Sequence, residues 1–268
     1  MRLIDSHCHL QARAFAADAA DVLASARSEG VERVLAPGYD LESSLASIEL
    51  ARTFGVDASA GTHPHVASDS DRNWAEIAGL ATDALVAAVG ETGLDYDRGF
   101  SSREAQMANL ERHLRLASDL GKPAILHCRS KPGQRDAQDD LIRLLTEYRP
   151  PALLHSFSGP VDYAEQALEL GLAISFSGLV FRKGEEASAD VARLTPADRL
   201  LVETDSPYLS PRGAPKRRNE PRYVSVTADW LAEQRGEDPD ALGEQLVANY
   251  DRVFSRPPMP RDQSQVGP

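Results

Sequence analysis

The sequence predicts an α/β protein with a closed (β/α)8 TIM barrel. Eight short apolar runs alternate with segments of helical periodicity, which implies parallel strands joined by right-handed crossovers. The length, 268 residues, is usual for eight such units. The first strand–loop–helix unit lacks a GxGxxG turn, which argues against an open dinucleotide-binding sheet.

The elements follow in order. The first strand is read at residues 2–5, before a helical pattern over 15–29 that stops at Gly30, a usual helix terminator. Strand two, 31–36, runs into Pro37-Gly38, and the next helix, 41–54, stops at Gly55. Strand three is 56–60, followed by a shorter helix at 74–82. Strand four is 85–89. The longest helix, 102–120, puts Leu110, Leu114 and Ala117 on one stripe and stops at Gly121. Strand five, 124–126, precedes a helix at 139–148 that ends before Pro150-Pro151. Strand six is 152–154, and its helix, 161–170, stops at Gly171. Strands seven and eight are 172–176 and 200–204, and helices at 223–234 and 239–254 close the barrel. One barrel domain over residues 1–258 is expected, with a disordered Pro-, Ser- and Gln-rich tail over 259–268.

Composition bounds the partners. Hydrophobic content of 42% and charged content of 26% are ordinary for a globular protein. The net charge of −12 repels nucleic acid at long range, so contact with a polyanion needs a local basic patch or bound cations. Two cysteines make no disulfide framework. No basic-then-apolar leader is visible, and no apolar run approaches the ~18–20 residues that cross a bilayer. A cytoplasmic monomer with no membrane partner is the expectation.

The chemistry gathers at one end of the strands. Side chains at i and i+2 of an extended chain share a face, so His7 and His9 point together and Cys8 points away. His63 and His65 follow strand three, His127 ends strand five and His155 ends strand six. Glu91 closes strand four and Asp205 closes strand eight. A lone strand-end histidine is usually a hydrogen-bonded structural residue. Six of seven histidines at the rim where barrel enzymes keep their active sites is a different matter. Imidazoles with carboxylates suit Zn²⁺ or Mn²⁺, with Mg²⁺ possible where carboxylates dominate. The candidates exceed one tetrahedral shell, so two divalent ions bridged by a carboxylate fit better. Lys122 lies at the wrong end of the barrel to bridge them, which leaves Glu91.

Several motifs carry a resemblance: Asp5-Ser6-His7-Cys8-His9-Leu10, Gly61-Thr62-His63-Pro64-His65, the 90–96 segment, His127-Cys128-Arg129, His155-Ser156-Phe157-Ser158-Gly159, and the 203–209 segment. In order and spacing they resemble the TatD family of metal-dependent hydrolases and DNases, over about residues 2–255. The resemblance implies one metal on His7, His9, Glu91 and Asp205, and a second on Glu91, His127 and His155. It implies metal-dependent 3′-to-5′ exonucleolytic cleavage of DNA ends, sometimes of RNA. His63 and His65 match residues near the scissile phosphate, and Asp205 matches the base for the attacking water. Two features depart from the family pattern. The 130–138 segment is longer than usual, and His113 stands in a helix where Gln is frequent.

The remaining residues have plainer expectations. Asp95 and Glu203 are read as partners that orient imidazoles, or as loop ion pairs. Cys8 and Cys128 read as packed residues, His113 as a surface or core helix residue, and Trp74 and Trp230 as packing. Arg129, a substrate-binding candidate, joins Arg212, Lys216, Arg217 and Arg218 as positive charge near the rim. Basic and aromatic residues are not interleaved as in a single-strand stacking platform. A competing reading is a metal hydrolase of a small ester, amide or nucleotide, because a barrel alone does not select the substrate.

Overall fold

The computed structural model describes residues 1–215 and 217–255. The expected 259–268 tail and Lys216 lie outside them. The strands are β1 (Leu3–Asp5), β2 (Val31–Ala36), β3 (Asp57–Ala60), β4 (Val86–Asp95), β5 (Ala124–Arg129), β6 (Ala152–Leu154), β7 (Ala173–Phe176) and β8 (Leu200–Val202). They form one sheet in sequence order, and every paired neighbour is parallel. The sheet closes on itself: Ser6 N donates to Val202 O (3.0 Å), Asp205 N to His7 O (2.9 Å) and His9 N to Ser206 O (2.8 Å). These closing bonds draw the ends of β1 and β8 together, and with them His7, His9 and Asp205.

The helices are α1 (Ala19–Ser28), α2 (Leu41–Phe54), α3 (Trp74–Leu80), α4 (Arg103–Leu120), α5 (Asp136–Tyr148), α6 (Val161–Glu169), α7 (Ser188–Leu194), α8 (Val224–Arg235) and α9 (Pro239–Val253). Caps account for several starts. Asp40 and Ser43 form a capping box at α2, and the Ser102 hydroxyl accepts from Ala105 N at α4. Gly55 and Gly121 end α2 and α4 in the left-handed conformation, as their positions in sequence implied. The stripe of Leu110, Leu114 and Ala117 is wholly buried. Among the described residues no helix is long and apolar enough to cross a membrane.

Several elements depart from the sequence reading. Helix α1 begins at Ala19 rather than 15, after a separate turn at Arg13–Phe15, and β5 continues past residue 126 to Arg129. Helix α7 was not anticipated; it is only seven residues long and buries just Ser188, Val191 and Ala192. Helix α5 begins at Asp136 rather than 139, so it absorbs part of the long 130–138 segment. Strand β4 continues past residue 89 to Asp95, and all ten of its residues are buried. Gly90 and Gly93 break the apolar run and hide this extension. The extension matters because it puts Glu91 and Asp95 on one face of the strand.

His113 belongs to the core. It is fully buried on α4, its Nδ1 donates to Asn109 O (2.7 Å), and its Nε2 accepts from Thr62 N (3.1 Å). Asn109 Nδ2 donates to Thr62 O (2.7 Å), so α4 grips both backbone groups of the residue before His63. Trp74 covers the ring at 5.0 Å. Burial, with Arg112 nearby, pushes the His113 pKa down to about 4. The unfolded chain therefore binds a proton near pH 6.5 that the native chain refuses until about pH 4. Its contribution is complete above pH 6.5 and is lost as pH falls through this window. Denaturant titrations of wild type and His113→Gln should show the stability difference shrinking by about 2–3 kcal/mol between pH 7.5 and 4.5, because only the wild type carries this proton linkage. A pH-independent difference would contradict this account.

Candidate metal centre

The end of β1 delivers His7 and His9 as the alternation requires. Their Nε2 atoms stand 3.3 Å apart. Asp205 Oδ1, brought in by the closing bonds, lies 3.3 Å from His9 Nε2 and 3.9 Å from His7 Nε2. Strand β4 supplies Glu91, whose Oε2 lies 3.3 Å from His7 Nε2 and 3.8 Å from His9 Nε2. The other oxygen, Oε1, faces a second group: His155 Nε2 at 3.0 Å, His63 Nε2 at 3.2 Å and His127 Nδ1 at 3.4 Å. One buried carboxylate thus divides its two oxygens between two sets of imidazoles. Three overlapping groups have donor atoms within 4.8 Å of one another: His7, Glu91 and His155; His7, His9 and Asp205; His63, Glu91 and His127.

Acids behind the ring set its imidazoles. Asp95 Oδ2 contacts His65 Nε2 (2.8 Å) and His127 Nε2 (3.3 Å), which leaves His127 Nδ1 for Glu91. Glu203 Oε1 contacts His155 Nδ1 (3.2 Å), which leaves His155 Nε2 for Glu91. Asp5 accepts from Thr204 N (2.9 Å), Thr204 Oγ1 (2.5 Å) and His7 N (3.3 Å). The sequence reading did not single out Asp5. The rule that aligned His7 with His9 also aligns Asp5, so the signal was present.

Electrostatics follow from burial and this pairing. Burial opposes ionisation of Glu91, yet the charges of His63, His155 and His7 override it and hold the carboxyl well below its ordinary range. Burial likewise opposes charge on His127 and His155. Asp95 and Glu91 raise the first, and Glu91 and Glu203 raise the second. Asp205 is kept anionic against burial by its hydrogen bond and charge interaction with His9. His63 Nδ1 accepts from His65 N (3.1 Å), so its Nε2–H points at Glu91, and burial pushes its pKa down to about 4. Asp5 is pushed up to about 8, mainly by burial.

The residues fit a cation. His7 is wholly buried, its Nδ1 has no hydrogen-bond partner, and its Nε2 faces another imidazole nitrogen and two carboxylate oxygens. An electron-pair acceptor there satisfies nitrogen and oxygen donors together.

The outer residues sort differently. His63 turns inward onto Glu91 and is 12% exposed, while His65 sits on Asp95 and is 33% exposed. The pair therefore does not act from one position. Arg129 is half exposed, bonded to Asp97 (2.9 Å), and lines a cleft of about 670 Å³ that reaches His127, His155 and Asp205. Lys131 and Lys183 line the same cleft and went unassigned in the sequence. Arg218 is a correction to the expected positive rim: its guanidinium is bound by Asp18 (2.9 and 3.0 Å) and Glu220 (2.8 Å). Cys8 is buried between its two histidine neighbours, and Cys128 is held at about 12 by burial, so neither supplies a thiolate.

A family model described as TatD related DNase matches residues 4–255. The chain belongs to the TatD family. A TatD relative from Erwinia billingiae, named 3′-5′ ssDNA/RNA exonuclease TatD, is 38% identical over 267 residues, covering 95% of this chain and all of its own. The uncharacterized metal-dependent hydrolase YabD of Bacillus subtilis is 31% identical and covers 94% of this chain and 98% of its own. Among solved structures, the TatD homologue YJJV of Escherichia coli K12 superposes with a TM-score of 0.86 at 29% identity, covering 96% of this chain and 99% of its own. The chain is thus a hydrolase of a metal-dependent family, with the TIM barrel expected for it.

The register of β4 against β5 places Gly93 beside His127, and a Cβ at Gly93 would stand 1.9 Å from His127 O. At Gly99, also at positive φ, a Cβ meets nothing within 4 Å. Gly99→Ala should therefore cost about 1 kcal/mol from backbone strain alone. Gly93→Ala should cost more than ~3 kcal/mol, because strand β4 must also part from β5. Equal losses in denaturant melts would show that the close approach does not constrain the site.

Proposed function

We propose that the protein is a two-ion phosphodiesterase that removes nucleotides from the 3′ ends of single-stranded DNA, and of RNA. The observation that carries this is the division of Glu91: Oε2 toward His7 and His9, Oε1 toward His155, His63 and His127. In this reading His7, His9, Glu91 and Asp205 hold one divalent ion, and Glu91, His127 and His155 hold the other. Mg²⁺, Mn²⁺ and Zn²⁺ all suit the donors. Such ions supply electrophilic polarisation of the phosphoryl group and acidify water toward a pKa of ~7. The names of the relatives, exonucleases of single-stranded DNA and RNA at about 38% identity, support the substrate class.

The residues take definite tasks. Asp205 is anionic and 14% exposed, so it is placed to accept the proton of the attacking water. Asp95 fixes His127 by its outer nitrogen and Glu203 fixes His155, so neither imidazole has to reorient during turnover. His65, partly exposed with its Nε2 on Asp95, has Nδ1 as the ring nitrogen left for contact with the substrate. Arg129, Lys131 and Lys183 in the cleft hold the strand's phosphates close to an otherwise acidic protein. The cytoplasmic location and monomeric state expected from the sequence belong to this proposal.

A 5′-labelled single-stranded oligonucleotide tests it. Purified protein with Mn²⁺ or Mg²⁺ should shorten the strand stepwise from its 3′ end, and EDTA should abolish the ladder. An intact strand alongside turnover of a small ester or amide would replace this reading with the smaller-substrate one. Bound metal tests the bridge. Wild type should bind two equivalents by elemental analysis, and Glu91→Ala should bind fewer than one while losing at least about a hundredfold in kcat. Two full equivalents in that variant would remove Glu91 from the centre of the scheme.

A further inference from the structure

We infer that Phe100 and Tyr208 are base-stacking platforms, one for each nucleotide flanking the scissile phosphate. The inference rests on the nuclease reading and names the residues that would make it a single-strand reaction. Among the described residues only four large hydrophobic side chains are exposed: Leu45, Val66, Phe100 and Tyr208. The two aromatic ones both stand at the mouth of the metal centre. Phe100, 68% exposed, makes an edge contact with His65 at 4.8 Å. Tyr208, 58% exposed, makes one with His9 at 5.7 Å.

Their placement brackets the centre. His9 contacts Asp205 and the Oε2 side of Glu91. His65 shares Asp95 with His127, on the Oε1 side of the same carboxylate. A phosphodiester held above Glu91 therefore has an aromatic ring on either side. Tyr208 stands on anchored backbone, and Phe100 adjoins an anchored residue. Tyr208 N donates to Asp205 O (2.9 Å), and Tyr208 O accepts from Asn219 Nδ2 (2.8 Å). Beside Phe100, Ser101 Oγ donates to His65 O (3.1 Å) and accepts from Ser68 N (3.1 Å).

Leaving aromatic carbon in water is unfavourable by itself, and two such rings beside the imidazoles of one site suit a partner with flat apolar faces. Every nucleobase offers one, whatever its sequence. Bases inside a duplex have both faces occupied, and a terminal pair offers only its outer face, so two rings that flank one phosphate can both be served only by an unpaired end.

The test uses the full-length enzyme with Mn²⁺ and four 5′-labelled strands: unmodified, abasic at the 3′-terminal position, abasic at the penultimate position, and abasic at both. Phe100→Ala and Tyr208→Ala should each raise KM for the unmodified strand roughly tenfold, with kcat changed far less. Phe100→Trp should restore KM and Phe100→Leu should not, since leucine supplies apolar volume without a ring face. In wild type each single abasic site should raise KM by a similar factor. Each alanine variant should be insensitive to one abasic position and sensitive to the other, and all three proteins should converge on the doubly abasic strand.

KM within twofold of wild type for both alanine variants would overturn the inference. So would rescue by Phe100→Leu, or full sensitivity of both variants to both abasic positions. The abasic series in wild type decides the matter even where a variant misfolds, because a wild type indifferent to base removal has no platform. A wild type that shortens no strand removes the nuclease reading and the platform with it, whereas unchanged KM values remove the platform alone.

Discussion

A carboxylate with almost no access to water has to be balanced where it stands, and the open end of this barrel is built around balancing Glu91. It is 2% exposed. Burying an unpaired charge costs several kcal/mol even after relaxation, so the surrounding donors must supply the compensation. Five imidazoles do so, from β1, from β5, and from the turns after β3 and β6. Because they approach from opposite sides, the carboxylate cannot serve one group and neglect the other. Removing any single strand end would leave part of this charge unmatched.

The barrel makes the arrangement possible by letting backbones touch. Glycine at 93 brings β4 against β5 closely enough that no side chain fits between them. The helices act at longer range. Helix α4 holds Thr62 at both its amide and its carbonyl, through His113 and Asn109, and so places His63 without touching it. Asp95, Glu203 and Asp5 form a further layer, each bonded to a segment that carries a candidate ligand. Rigid strands locate the donors, and the acids behind His127 and His155 select which nitrogen of those two rings faces inward.

The sequence carried much of this because strand geometry is periodic. Histidines two apart had to share a face, and an eightfold alternation put their strand ends on one rim. What it concealed has physical reasons. Gly90 and Gly93 read as breakers of β4, although they are what allow the strand to continue. Helix α7 is two turns long and has too few apolar positions to show a period. His113 lies three residues after Leu110 on α4, so helical spacing put it beside the buried stripe, but the Thr62 amide that it receives is a tertiary contact. Phe100 and Tyr208 come from connections after β4 and β8, and only closure of the barrel brings them to one mouth.

The same closure resolves the conflict between an acidic chain and a polyanionic substrate. Arginine supplies most of the basic side chains, and many of its forks are spent on carboxylates within the fold, as in Arg2 with Glu32, Arg33 with Asp251 and Arg218 with Asp18. Lysines 131 and 183 stand instead in the cleft over His127 and His155. Net charge therefore misleads about binding here, because the field a substrate meets is local. At an ionic strength near 0.15 M charges beyond ~8 Å are largely screened, so distant surface carboxylates repel an incoming strand weakly while the cleft cations act at contact. The large negative total is for that reason compatible with local positive charge in the cleft over His127 and His155.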